Sequence, residues 1–198
     1  SVHELGKPLD TDKLLEWIYK LEPNEFIIPD YFFDKTRSIV EAKHWSKIVL
    51  PIKTTKVAVV QAKSIEEAIE CYQIYKDLGY KKIAFSYSAS YYLGICPHPN
   101  ENLAKALGRI TVISKLFDMG IILRTDRVHL LGCCVPQEFA WYKNMPFIES
   151  IDTSNPIMAA IDEMEYTPTG LVDKPKSKID EVLNIDLNRI NLSMLLHN

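Results

Sequence analysis

The segment Lys56-Val-Ala-Val-Val-Gln61 is a continuous run of small and β-branched apolar residues that ends on a polar amide. A strand with one solvated face alternates apolar and polar residues, whereas a strand covered on both faces reads as an unbroken apolar run. The segment therefore predicts a strand inside a parallel sheet. Comparable runs occur at residues 25–29, 82–86, 127–132 and 147–152.

Amphipathic segments alternate with these runs and predict helices. Ser64 and Glu67 have the spacing of a capping box, and the helix that begins there stops before Gly79. Residues 102–119 carry a broad apolar stripe, and Gly120 follows them. The other predicted helices cover residues 12–21, 34–45, 136–142 and 155–163, and a final amphipathic segment covers residues 179–196.

This alternation of strands and helices predicts an α/β fold with parallel strands and right-handed crossovers. Two architectures stay open: a doubly wound sheet, or part of an eight-stranded TIM-like β/α barrel, which usually needs about 250 residues. The chain has no G-x-G-x-x-G or Walker A segment to support a nucleotide-binding open sheet. We predict a barrel-like domain, possibly an incomplete (β/α)8 barrel, over residues 1–166. A polar, proline-interrupted extension over residues 167–198 is predicted to pack on it.

Composition and charge narrow the classes of function. The net charge of −3 argues against a protein that coats nucleic acid without specificity, and a hydrophobic content of 47% argues against disorder. No apolar run approaches the roughly 20 residues needed to cross a bilayer. The start lacks a secretion signal, and the four cysteines have no Cys-x-x-Cys spacing. We therefore expect a cytoplasmic protein without a membrane partner, and no metal-ligand spacing is visible.

Both architectures place function at the carboxyl ends of the strands, so the polar residues there are the candidate site. An aspartate accepts hydrogen bonds from ring N–H and amine groups, and a glutamine offers a donor and an acceptor, so such a rim suits a planar heterocycle. A second carboxylate could attack an anomeric carbon. The candidate residues are Asp30, Gln61, Ser86, Ser88, His129, Gly132 and Asp152.

Simpler interpretations of the same residues stay open. Asp30 and Asp152 could each cap the helix that follows, because aspartate is a favoured N-cap residue. His129 lies inside a strand and could be a hydrogen-bonded core residue. The Gly132 loop and a helix beginning at Pro136 could bind an anion, which would suit an unrelated β/α-barrel enzyme of phosphorylated metabolites.

Four short motifs at the strand ends resemble the tRNA-guanine transglycosylase superfamily, over about residues 24–156. The nearer branch is that of the phage and bacterial enzymes that insert 7-deazaguanines into DNA. His129-Leu-Leu-Gly132-Cys-Cys-Val-Pro136 has the family's H-x-x-G-x-x-x-P spacing, and Asp152-Thr-Ser-Asn-Pro156 has the D-x-x-x-P spacing around its nucleophilic aspartate. Val59-Val60-Gln61 resembles the strand end whose glutamine reads the base. Phe26-Ile-Ile-Pro-Asp30 resembles the strand that carries the base-binding aspartate.

The resemblance implies a (β/α)8 barrel and base exchange at a nucleoside: a carboxylate attacks C1′, the old base leaves, and a 7-deazaguanine takes its place. It implies that Asp152 is the catalytic nucleophile. The base-binding residues would be Asp30, Gln61, Ser86 and Ser88, with His129 and Gly132 in support. Because the family's zinc motif is absent from the chain, we expect DNA rather than tRNA as the nucleic-acid partner, and no metal or cofactor.

Two differences from the family leave another class of function open. The Gly-Gly segment that approaches the base is Ser86-Tyr87 in this chain, and the segment that supplies a second catalytic aspartate has no counterpart. A non-catalytic binding subunit or inhibitor that keeps the barrel-like fold is therefore the alternative. Five strands where a barrel needs eight leave two sheet edges open, so we expect a homo-oligomer or a partner chain that completes the barrel.

Overall fold

A computed structural model of the chain describes residues 10–133, 135–168, 170–171, 173, 175–177, 193 and 196. Its strands are β1 Glu25–Ile27, β2 Thr55–Val60, β3 Lys82–Ser86, β4 Val128–Leu131 and β5 Ile148–Ile151. Its helices are α1 Thr11–Leu21, α2 Lys35–Lys47, α3 Ile65–Asp77, α4 Tyr92–Ile95, α5 Glu101–Asp118, α6 Glu138–Trp141 and α7 Asn155–Ile161. The predicted α/β class, with strands and helices in alternation, is confirmed.

Side-chain caps explain where the longer helices begin. In α3 the hydroxyl of Ser64 accepts a hydrogen bond from the Glu67 amide at 3.2 Å, as the capping-box spacing predicts. Gly79 follows that helix with a φ of 84°, a left-handed value that favours glycine. The N-caps of α1, α2 and α5 are Asp10, Asp34 and Asn100, and each side chain accepts from a first-turn amide.

The five strands pair in the order β1-β2-β3-β4-β5, and every pair is parallel. A doubly wound sheet would reverse its strand order at a switch point. Sequential order has no such point, and right-handed crossovers then place successive helices on the same face. The described strands therefore form a curled half-barrel with interleaved helices, and the doubly wound alternative is wrong.

The two faces of the sheet have different neighbours. One face contributes residues such as Ala58, Ile83 and Leu130 to a large core that includes Trp45 of α2 and Ile113 of α5. The other face has only a small apolar cluster, in which Leu131 packs on Val57, Val59 and Ala84. Because successive strand residues point to opposite faces, this inner face also receives the side chains of Lys82, His129 and Ser150.

Helix α4, which the sequence did not predict, packs closely against α5. A Cβ atom on Gly108 of α5 would lie 2.4 Å from the carbonyl oxygen of Tyr92, so only glycine permits this approach. The ring of Tyr92 is buried in the core. A single glycine inside a strongly helical pattern was the available signal for such a contact.

Some predicted boundaries differ from the observed ones. Strand β1 stops at Ile27, two residues before Pro29, although the Ile28 amide still donates to the carbonyl of Val57 at 3.0 Å. Helix α6 has four residues rather than the seven predicted. The predicted segment 179–196 lies outside the described residues, apart from positions 193 and 196, so its packing stays a prediction. None of the described helices is long and apolar enough to cross a membrane.

Candidate functional site

The polar residues predicted at the strand ends share one edge of the sheet. Strand β2 runs directly into Gln61, Ser86 closes β3, and Asp152 follows β5. The register pairs Val60 with Phe85, Ser86 with Leu131, and Leu130 with Ile151, which sets the strand ends at the same level. In strand order, this carboxyl-end rim carries Asp30, Gln61, Ser86, Gly132 and Asp152.

The first pair on the rim joins the ends of β1 and β2. The Gln61 side chain is buried, and its Nε2 donates to Oδ2 of Asp30 at 2.5 Å. Its Oε1 accepts from the Phe33 amide at 3.1 Å, so both ends of the amide group are engaged and its orientation is fixed. Phe33 has a φ of 58°, a left-handed value that is unusual for a bulky residue and marks a strained turn.

Asp30 is not a helix cap. The N-cap of α2 is Asp34, whose carboxylate accepts from the Arg37 amide at 2.9 Å. Burial raises the pKa of Asp30 above its ordinary value, and the hydrogen bond from Gln61 offsets part of that rise. A half-buried carboxyl beside a fixed amide is a pair of groups suited to the hydrogen-bonding edge of a heterocycle.

The second pair on the rim joins β4 to the residue after β5. His129 Nε2 lies 3.1 Å from Oδ1 of Asp152, and the Gly132 amide donates to the same oxygen at 3.0 Å. These hydrogen bonds, with that from His129 the larger, lower the pKa of Asp152 against the effect of burial. The Asp152 side chain is 60% exposed, so an ionised carboxylate faces solvent.

Asp152 is also not a cap, since the N-cap of α7 is Ser154 and the Asp152 carboxylate bonds across to β4. Gly132 has a φ of 67°, which explains why glycine stands at this position of the H-x-x-G motif. The sequence also allowed His129 to be a hydrogen-bonded core residue. Each of its ring nitrogens does have a partner, Ser150 Oγ at Nδ1 and Asp152 Oδ1 at Nε2. One of those partners is the candidate nucleophile, so the histidine also orients it.

A buried ion pair that the sequence did not predict holds the loop after β4. The Arg109 guanidinium donates to the carbonyls of Leu131 at 3.0 Å and Gly132 at 2.8 Å. Its Nε donates to Glu138 at 2.9 Å, both side chains are fully buried, and the Tyr142 hydroxyl donates to the same carboxylate at 2.8 Å. The available signal was an arginine inside the apolar stripe of residues 102–119.

A second polar group that the sequence missed lies below the rim, on the inner face. Lys82 is 2% exposed, and its ammonium donates to both oxygens of Glu25 at 2.8 Å and to Ser150 Oγ at 2.8 Å. Glu149 lies 3.2 Å from the same ammonium. Ser150 Oγ lies 2.8 Å from His129 Nδ1. An uninterrupted chain of hydrogen bonds therefore connects Lys82 to Asp152.

The turn after β3 lies between the two pairs. The Ser88 amide donates to Ser86 Oγ at 3.3 Å, and Ser88 is exposed. Tyr87 between them is buried beneath the Arg109 guanidinium, which lies 5.4 Å from the ring centroid. The turn therefore lies at the middle of the rim, but neither serine contacts Asp30 or Asp152 in the part of the chain that is described.

Two amides at the alternative anion site after Gly132 already have backbone partners. The Glu138 amide bonds to the carbonyl of Val135 at 3.2 Å, and the Phe139 amide bonds to that of Pro136 at 3.1 Å. The carboxylate of Glu138 in this turn is fully buried against the Arg109 guanidinium. These two amides are therefore not available to a phosphate. Among the described residues, no group of three or more His, Cys, Asp and Glu side chains is placed to hold a metal ion.

The chain was compared with protein-family models and with curated proteins. No protein-family model matches the chain, and no curated protein matches it. The resemblance to the transglycosylases therefore depends on the motifs at the strand ends and on the positions of those motifs in the sheet.

Proposed function

We propose that the chain is a transglycosylase that exchanges a guanine in DNA for a 7-deazaguanine, with Asp152 as the nucleophile. The observation that carries the proposal is the geometry of Asp152. An exposed carboxylate with a lowered pKa is held by His129 and by the Gly132 amide, on the same sheet rim as the Asp30–Gln61 pair. Such a rim supplies a nucleophile and a separate group for the base.

The chemistry requires two displacements at one carbon atom. The Asp152 carboxylate attacks C1′, and the bond from C1′ to the guanine nitrogen breaks with its electron pair on the departing base, which takes up a proton. The deprotonated ring nitrogen of the incoming 7-deazaguanine then attacks C1′ and releases the carboxylate. Each displacement inverts C1′, so the product keeps the starting configuration, as in retaining glycosidases.

DNA is the proposed nucleic acid, and its target base would have to leave the duplex to reach a concave rim. The exposed Arg37 side chain supports this assignment, because its guanidinium lies 4.6 Å from the Tyr31 ring centroid, directly beside Asp30 in the chain. An arginine stacked at the border of the rim is suited to contact a phosphate. The net charge of −3 leaves no general affinity for the backbone.

Release of labelled guanine tests the proposal. Duplex DNA that carries radiolabelled guanine is incubated with the protein and a 7-deazaguanine base, and label released from the DNA is counted. We expect release that depends on both the protein and the added base. Absence of release at every concentration of added base would contradict the proposal.

Gln61→Leu tests the assignment of the base-binding pair. Loss of the amide removes the hydrogen bonds to Asp30 and to the Phe33 backbone. We expect the KM for the incoming base to rise about 10-fold to 100-fold, which corresponds to one or two lost hydrogen bonds in a buried site. Gln73→Leu, an exposed glutamine on α3, is the matched control and should leave KM unchanged. Equal KM values for the two variants would exclude Gln61 from base binding.

The open sheet edges support a proposal about assembly. Strands β1 and β5 each pair with a single strand in the described sheet, and an open edge is a template for further pairing. We expect the chain to self-associate or to bind a partner chain that completes the barrel. Size-exclusion chromatography with light scattering, on the chain alone, should give a mass above that of the monomer. A compact monomer that remains stable over the concentration range would contradict self-association.

The non-catalytic alternative also has a specific observation in its favour. Asp30 and Gln61 are hydrogen-bonded to each other, and Tyr87 occupies a position where the transglycosylases have glycine. A binding subunit with this rim would hold a nucleobase without exchanging it. Calorimetric titration with a 7-deazaguanine, together with the label-release assay, separates the two: binding without release favours the alternative.

A further inference from the structure

We infer that Lys82 is a positioning residue that sets the tautomer of His129 through Ser150 and thereby orients Asp152. The inference deepens the proposed function and rests on it for the role of Asp152. Lys82 lies at the start of β3, on the inner face and below the rim, and the proposed chemistry does not otherwise use it.

The first step of the argument is the direction of the hydrogen bonds at Lys82. An ammonium group has three protons and no acceptor. Its neighbours are the carboxylates of Glu25 and Glu149 and the hydroxyl of Ser150, at distances of 2.8 to 3.2 Å. Because the ammonium can only donate, Ser150 Oγ must accept from Lys82, and the two carboxylates share the remaining protons.

The second step is the direction of the hydrogen bonds at His129. Because Ser150 Oγ already accepts from Lys82, its own proton is available for the ring nitrogen Nδ1, 2.8 Å away. Among the described residues the Ser150 proton has no other acceptor, so Nδ1 accepts it and Nε2 carries the ring proton. That proton donates to Oδ1 of Asp152, at 3.1 Å. Along this series of hydrogen bonds, from Lys82 to Asp152, each donor therefore faces an acceptor.

These hydrogen bonds determine which oxygen of the Asp152 carboxylate is free to react. With Nε2–H and the Gly132 amide both directed at Oδ1, the other oxygen, Oδ2, accepts from none of the described residues. Oδ2 is thus the oxygen left to attack C1′. If the opposite tautomer formed, the lone pair of Nε2 would face Oδ1, and the carboxylate would lose one of its two anchors.

Stability alone does not explain a lysine at this position. Lys82 lies beside the small apolar cluster of Val57, Val59 and Ala84, which an apolar side chain could extend. Replacement of a buried ion pair by apolar residues is often neutral or stabilising. The lysine has instead the one property that an apolar residue lacks, which is a proton directed at Ser150.

Lys82→Met tests the inference with two readouts. Nitrogen-15 NMR of the histidine rings reports which nitrogen of His129 carries the proton, and the label-release assay reports kcat and KM. We expect a mixture of tautomers in place of Nε2–H alone, and a kcat lower by about 10-fold to 100-fold, the scale seen when the group that orients a metal-binding histidine is removed. KM for the base should not change. Lys81→Met, the exposed neighbouring lysine, is the matched control.

Ser150→Ala separates positioning from a structural role. This variant keeps the ion pairs between Lys82 and the two glutamates and removes only the relay to His129. We expect the same change of tautomer and of kcat as in Lys82→Met. If His129 keeps Nε2–H alone in both variants while base exchange persists in the wild type, the inference fails and the proposed function stands. If the tautomer changes but the wild type releases no guanine, the proposed function fails instead.

Discussion

Asp152→Asn is expected to lower kcat for base exchange by on the order of 10⁴-fold or more, the scale of loss when a covalent nucleophile is removed. Asparagine has nearly the same shape as aspartate and can keep the contacts to His129 and the Gly132 amide at its oxygen. It carries no charge, however, and its amide nitrogen is a poor nucleophile. The fold should therefore survive while the chemistry stops.

The matched control for this prediction is Asp77→Asn, an exposed aspartate at the end of α3. Both variants are compared by label release at saturating base and by thermal unfolding. We expect Asp77→Asn to be as active as the wild type. Wild-type exchange in Asp152→Asn would exclude the carboxylate as the nucleophile, whatever the behaviour of the control.

Arg109→Met is expected to lower the free energy of unfolding by about 3–5 kcal/mol, the usual cost of leaving one partner of a buried ion pair unpaired. The substitution leaves the fully buried carboxylate of Glu138 without its cation and removes the donors to the carbonyls of Leu131 and Gly132. Urea unfolding measures the change. Because the loop that presents the Gly132 amide depends on Arg109, base exchange should fall as well.

A surface ion pair on the same helix provides the control. Lys105 bonds to Glu101 one turn away at 2.6 Å, and the glutamate is largely exposed, so Lys105→Met should cost no more than about 0.5 kcal/mol. The double variant Arg109→Met with Glu138→Leu removes both charges and should recover much of the lost stability. Equal stabilities for Arg109→Met and Lys105→Met would show that the buried pair does not hold the loop.

The strands and most of the helices were predictable because local patterns determine them. Unbroken apolar runs predicted each strand, and the Ser64–Glu67 spacing predicted the start of α3. The strand order was not predictable in this way, since doubly wound sheets and barrels have the same local pattern. The strand order depends on contacts between residues far apart in the chain. In the structure each strand pairs with the next one in the sequence, from β1 to β5.

The rim was predictable for a similar reason, because the carboxyl ends of parallel strands meet at one edge. That rule placed Asp30, Gln61 and Asp152 together, but it says nothing of the groups that orient them. Lys82 begins an apolar run and Arg109 lies inside an apolar stripe, and both have their partners on other elements. Ser150, which links Lys82 to the histidine, is 21 residues from His129 in the chain, and only the register of β4 and β5 brings the two side chains together.

The central claim, that Asp152 forms a covalent bond to the nucleoside, is tested most directly by trapping that bond. The protein is mixed with a guanine-containing oligonucleotide without added base and then denatured rapidly. Mass spectrometry of the intact protein and of its peptides follows. We predict a protein–DNA adduct on the peptide that contains Asp152, absent in Asp152→Asn and retained in Asp77→Asn. An adduct on another residue, or base exchange that proceeds without any adduct, would contradict the account.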